Sequence, residues 1–198
     1  MERKRIILAV SGASGAPLAV ACLKELRKFP DYEIHLVTSG GGVRTVGLET
    51  GLTPGQLNAM ADICHDNRDI GAPIASGTFR TEGMIVVPCS MKTAAGIAGG
   101  YSDNLLLRAA DVTIKEKRRL ILVVREAPLS PIHLRNLEYL SRLQNVIILP
   151  PVISYYHHPK SLEDMNFHLA GKILDAAGLS VSGFKRWEPE GKDDNVDT

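Results

Sequence analysis

The strongest constraint on the fold is a pair of short, unbroken apolar runs, Met84–Val87 and Leu120–Val124, within the stretch Gly83 to Arg125. Neither run alternates with polar residues, which is the pattern of a strand covered on both faces. Between them lie a Pro88-Cys89-Ser90 corner, a short small-residue helix, a loop and a charged helix. Such a connection joins parallel strands of one sheet. Ser90, Met91, Lys92 and Thr93 directly follow the end of the first strand, and Arg125 ends the second. In an open parallel sheet, ligands sit beyond the carboxyl ends of the strands, where helix N-termini offer unpaired N–H groups. Arg108, Lys115, Lys117, Arg118 and Arg119 supply cations nearby in sequence. A small-residue approach beside cations suits a flat, phosphorylated ligand. Lys117 to Arg119 read as a solvated helix face, whereas Ser90–Thr93 and Arg125, at strand ends, read as functional.

The rest of the chain repeats the unit. Arg5–Val10 is a buried strand, Ser11 to Ala16 a small-residue turn, and Pro17 sits in the first turn of a helix running to Phe29, closed by Pro30. The turn is not GxGxxG, and no acid follows the next strand where a dinucleotide ribose would need one. Glu33–Thr38 is the second strand. Ser39 stands at its end, followed by Gly40-Gly41-Gly42, read as a side-chain-free gap before a helix over Val43–Glu49. Thr53-Pro54 opens a further helix through about Ile63, and His65 to Arg80 reads as irregular. Ser130-Pro131 opens a helix to Leu143 with Leu134, Leu137 and Leu140 facing inward, before a strand over Val146–Leu149. The following loop holds Tyr155, Tyr156, His157 and His158. Adjacent histidines suggest a metal, but no third ligand stands in register, so packing or hydrogen bonding is the expected role. Ser161 and Asp164 begin the last helix in capping-box style, burying Met165, Leu169, Ile173 and Leu174, with Lys172 on the same helix. Trp187 is the one large apolar anchor of a polar end. The expected organisation is one domain over residues 1–187 with a polar tail over 188–198, in which Asp193 to Asp197 spell a DDxxD that carries no weight in a charged terminus.

Strands alternating with helices give an α/β fold with a mainly parallel sheet. A net charge of +1 argues against a nucleic-acid surface, so any anion site must be local. Three scattered cysteines without CxxC spacing fit a reducing cytosol. No apolar run approaches the ~18 residues of a membrane helix, and a cytoplasmic, non-membrane protein is expected. From the residues alone, the chain is a single-domain binder of a phosphorylated, flat ligand.

Several motifs carry a resemblance to a known family over Arg5 to about Trp187. They are Gly12-Ala13-Ser14-Gly15-Ala16, Leu48-Glu49-Thr50, Pro88-Cys89-Ser90-Met91-Lys92-Thr93, and Asp103-Asn104-Leu105-Leu106 running into Arg108-Ala109-Ala110-Asp111-Val112. Lys115-Glu116, Arg125-Glu126-Ala127-Pro128-Leu129, Ile132-His133-Leu134 and Tyr156-x-x-Pro159 follow. In this order the chain resembles the flavin prenyltransferases, especially the B-subunit branch of hydroxyarylic acid decarboxylases.

The resemblance implies a flavodoxin-like three-layer sandwich, assembled as a dodecamer with FMN at subunit interfaces. It implies transfer of the dimethylallyl group of dimethylallyl phosphate to N5 and C6 of reduced FMN, without a metal, for a partner decarboxylase. By motif, Gly12, Ala13, Ser14, Ser39, Ser90, Met91, Lys92, Thr93 and Arg125 would hold FMN. Lys115, Arg125, Tyr156 and Lys172 would hold the prenyl phosphate, with Arg108 nearby. Glu49 and Glu126 would be carboxylates at the reaction centre, with Ser14 relaying a proton to a carboxylate unless the departing phosphate is the base. Two departures stand out. Lysine replaces the family's arginine at position 172, losing a bidentate fork, and Gly40 to Gly42 replace bulkier residues. They leave a second reading, a non-catalytic FMN-binding subunit or flavin carrier. A flavin-dependent cysteine decarboxylase of the same fold is set aside, because its PxMNxxMW-like segment is missing.

Overall fold

The computed structural model describes residues 3–187. Six strands form one sheet: β1 (Lys4–Val10), β2 (Tyr32–Thr38), β3 (Ile63–His65), β4 (Gly83–Cys89), β5 (Arg119–Val124) and β6 (Val146–Ile148). Their order is β3-β2-β1-β4-β5-β6, and every pairing is parallel. Seven helices cover both faces: α1 (Ala16–Leu26), α2 (Gly40–Thr50), α3 (Pro54–Asn58), α4 (Met91–Ala98), α5 (Leu105–Lys115), α6 (Pro131–Ser141) and α7 (Leu162–Ala176). The result is the expected flavodoxin-like three-layer sandwich. The order of the strands reverses between β1 and β4, the point where an open α/β sheet leaves a crevice for a ligand.

Two cores flank the sheet, as unbroken apolar strands require. Ile6, Leu8, Val10, Ile85, Val87, Ile121 and Val123 face α1 and α7. Ile7, Ala9, Met84, Val86, Leu120 and Leu122 face α4, α5 and α6. One residue's step along a strand changes the face, so alternate members of each run enter different cores.

The sequence reading is corrected at several points. Gly40 to Gly42 are not a gap but the first turn of α2, with Ser39 as its N-cap, accepting from the Gly42 N–H at 3.0 Å. A Cβ on Gly42 would lie 2.5 Å from the Val10 carbonyl oxygen, so this glycine lets the helix start against the end of β1. The third helix keeps its Thr53–Gln56 capping box but stops at Asn58, and Ile63 belongs to β3. The first helix ends at Leu26, before Phe29. Leu134 is 53% exposed, unlike Leu137 and Leu140, and Met165 and Leu169 are only partly buried. Asp164 accepts from the Lys160 N–H rather than from Ser161, so the box is displaced by one residue. Trp187 is 73% exposed in the single chain and anchors nothing within it. The polar tail and its DDxxD lie outside the described residues. Among the described residues no helix is long and apolar enough to cross a membrane, and no cluster of ligands could hold a metal.

Candidate active site

The β1/β4 crevice is closed at its base by a residue the sequence reading passed over. Ser11, 1% exposed, donates its hydroxyl to the Pro88 carbonyl at 2.8 Å and accepts from the Ser90 N–H at 2.8 Å. It staples the two strand ends together and sets where α4 begins. Its signal was a polar residue directly ending a buried strand, which requires satisfied hydrogen bonds. The Arg125 N–H donates to the Cys89 carbonyl at 3.1 Å, bringing the end of β5 alongside.

Above this base sit two helix N-termini with different occupants. At α1, the Glu49 carboxylate accepts from the Gly15 and Ala16 N–H groups, both at 2.8 Å, and from the Ser14 hydroxyl. Burial pushes the Glu49 carboxyl up, but these three donors and the Arg125 charge outweigh it, holding the carboxyl below its usual range. Glu49 is therefore ionised at neutral pH and already fills the anion position of α1. At α4, Ser90 is the N-cap and accepts from the Thr93 N–H at 3.3 Å. The N–H groups of Met91 and Lys92 have no intrahelical partner, by helix geometry. The second N-terminus is thus the one left for a phosphate, flanked by Lys92 and Arg125.

The donor set fits FMN. Gly12 packs against Gly41, where an added Cβ would lie 3.0 Å from the Gly41 Cα, so the floor between α1 and α2 is bare backbone. The Met91 and Thr93 side chains are buried, so these two residues present backbone rather than side chain to a ligand. Ser39 keeps a hydroxyl proton to donate while its oxygen caps α2. Cys89 is packing, not a nucleophile: it is fully buried, and burial pushes its thiol up to about 12.

Other expected residues are not gathered here. Tyr156 and Lys172 share a separate cleft of about 1330 Å³ between the loop after β6, α7 and the segment ending at Trp187. Arg108 lies in the second turn of α5, paired with Asp111 at 2.7 Å. Lys115 ends α5, an 11-residue helix about 16 Å long, and pairs with Glu116 close to the amino end of β5. Within one protomer it therefore stands at the opposite edge of the sheet from Ser14 and Arg125. Sequence proximity to the charged helix misled the single-chain reading: a crossover helix carries its C-terminus away from the ligand edge. Glu126 follows Arg125 and is exposed, accepting from the Ala127 N–H.

The profile of the family described as Flavoprotein matches residues 1–166. The flavin prenyltransferase LpdB of Lactiplantibacillus plantarum is 49% identical over 93% of this chain and 98% of its own. A solved structure from Escherichia coli O157:H7, described as a dodecameric FMN-dependent UbiX-like decarboxylase, superposes with a TM-score of 0.91 at 48% identity, covering 93% of this chain and 99% of that one. A second, AnUbiX (PadA1) in complex with FMN and dimethylallyl pyrophosphate, has a TM-score of 0.91 at 46% identity, covering 94% and 98%. Fold and site define a flavin-binding α/β protein, and the chain belongs to the Flavoprotein family. Within it, the chain stands among the UbiX-like flavin prenyltransferases.

Proposed function

We propose that this protein is a flavin prenyltransferase that joins the dimethylallyl group of dimethylallyl phosphate to reduced FMN. The observation that carries the reading is the Ser14–Glu49–Arg125 constellation beside the open N-terminus of α4 at the switch point. FMN, when bound, supplies the reduced ring whose N5 and C6 accept the prenyl carbons. Gly12, Ala13, Ser39, the N-terminus of α4 from Ser90 to Thr93, and Arg125 hold and orient it. Glu49, kept ionised, accepts a proton through Ser14, which already donates to it.

An allylic phosphate leaves only when charge developing on its oxygens is neutralised. Lys172, Tyr156 and Arg125 supply that field, and Glu126 is a second carboxylate at the reaction centre. Lys115 and Arg108 join them from neighbouring protomers, since Lys115 cannot reach across its own sheet. The dodecamer of the Escherichia coli O157:H7 structure supports this assembly. So does the apolar rim of the Lys172 cleft, where Tyr156 is 82% exposed and Val152, Tyr155 and Trp187 are also uncovered. The product serves a separate hydroxyarylic acid decarboxylase. The described cysteines are all free thiols, which suits the cytoplasm.

The glycine triplet no longer argues for the alternative, a flavin carrier, because it seats α2 rather than loosening a wall. The test is anaerobic: purified protein, reduced FMN and either dimethylallyl phosphate or the pyrophosphate, followed by the mass of the flavin. Gain of one five-carbon unit is the expected result. Flavin bound tightly but unchanged with both donors would establish the carrier instead.

A further inference from the structure

The cleft that holds Tyr156 and Lys172 contains a feature that the prenyl-transfer reading does not use. The rings of His157, on the loop after β6, and His168, on α7, stack with centroids 3.8 Å apart and planes 12° apart. Both ring nitrogens of His157 are buried without a hydrogen-bond partner. A buried imidazole with neither nitrogen satisfied carries a desolvation cost that a bound ligand can remove. His168 and Lys172 are four residues apart on α7, so they share one helix face, and both line the cleft with His157.

We propose that the His157–His168 pair is a phosphate-recognition element that takes up one proton when a phosphate enters the cleft beside Lys172. This rests on the reading that the donor's phosphate occupies that cleft. The ligand class is a phosphate monoester or diphosphate in its fully ionised form.

The charges around the pair explain why it waits for an anion. From the loop come His158 and Lys160; from α7 come Asp164, Lys172 and Asp175; the C-terminal segment adds Lys185 and Arg186. Both carboxylates are engaged, Asp164 by the Lys160 N–H at 2.9 Å and Asp175 by Arg186. With Asp175 paired to Arg186, Lys160, Lys172 and Lys185 outnumber the remaining carboxylate, Asp164, and burial followed by the neighbouring His157 holds His168 below the ordinary histidine range. His168 is therefore neutral near pH 7 in the free protein. A dianion entering beside Lys172 reverses the local field and favours one imidazolium, whose charge the stacked neutral ring tolerates; a second proton would place two cations within 4 Å. The proton comes from solvent, and no covalent step is involved.

The test uses the full-length assembled protein and inorganic sulfate, an anion that does not itself titrate near neutrality. Calorimetry in buffers of different ionisation enthalpy counts protons taken up per sulfate bound. Uptake approaching one proton is expected, with affinity falling at up to about tenfold per pH unit above neutrality. His168→Gln and His157→Gln should abolish both the uptake and the pH slope while leaving FMN binding intact. Ring-proton shifts of the two histidines in the wild-type protein, followed during sulfate titration, give the same answer if a variant does not fold. Sulfate bound with no proton uptake, or bound equally well by Lys172→Gln, overturns the proposal. Uptake without prenyl transfer would instead sink the transferase reading and leave the anion site standing; prenyl transfer without uptake would sink this proposal alone.

Discussion

The crevice at the ends of β1 and β4 and the cleft beside α7 are built on opposite plans. In the first, the groups that build the frame are already satisfied, since Ser11 ties Pro88 to Ser90 and Glu49 is held by three donors, and the first N–H groups of α4 are held in place for a ligand. In the second, His157 has no hydrogen-bond partner, and Tyr156 and Lys172 are exposed on a rim of uncovered apolar side chains. A flat ring demands a pre-formed seat, because misplacement of the reacting atoms is costly in rate. A phosphate that arrives and leaves can be met by groups that gain their partners on binding. On the proposed assembly, the difference also separates what one chain completes from what it leaves to its neighbours.

The contrast can be broken from either side. Replacing Glu49 by Gln removes the carboxylate proposed as the base, and transfer should fall roughly 10²–10⁴-fold with FMN binding retained, read from single-turnover rates. Gly42→Ala drives a Cβ toward the Val10 carbonyl and should destabilise the protein by about 1–3 kcal/mol, read from denaturant midpoints. On the open side, Lys172→Gln should weaken donor binding about ten- to hundredfold, appearing in KM more than in kcat, with FMN affinity unchanged. A large loss of FMN affinity in that variant would mean that the two regions are one site already within the protomer.

Two smaller effects sharpen the comparison away from both regions. His35, buried in β2, contacts His65 at 2.9 Å and Glu33 at 2.8 Å. Burial lowers its pKa against the opposing pull of Glu33, so the unfolded chain binds more protons below the ordinary value of 6.5. Stability should therefore be fully present above about pH 6.5 and decline as the pH falls through that value, and His35→Phe should flatten the decline in a series of thermal melts. Last, Gly40→Ala has open space around its Cβ and should stabilise α2 by up to about 1 kcal/mol. Equal destabilisation by Gly40→Ala and Gly42→Ala would contradict the assignment of a close approach to Gly42 and of open space to Gly40.

Much of this was legible in the primary structure, for identifiable reasons. The unbroken runs Ile6–Val10, Met84–Val87 and Leu120–Val124 read as doubly covered strands, and Thr53, Ser130 and Ser161 cap the helices their positions announced. The misreadings occurred where local preference met tertiary contact. Three glycines look like a gap, yet close packing of α2 on β1 needs the backbone bare there. Leu134 fits the helical period but lies on a face its own chain does not cover. Ile63, at the start of a three-residue strand, becomes a strand only because His35 to Val37, far away in sequence, offer an edge.

Local chemistry, then, determined the strands, the caps and the class of ligand, because apolar runs and hydroxyl caps act within a few residues of themselves. The strand order, the staple made by Ser11, the carboxylate of Glu49 on the amides of α1 and the stacking of His157 on His168 were decided only by the tertiary structure. Each joins residues distant in the chain, and their separation is set by packing against the sheet rather than by any preference the residues carry alone. The removal of Lys115 to the far edge has the same cause: a crossover helix must return the chain to the start of the next parallel strand, whatever charge it carries there.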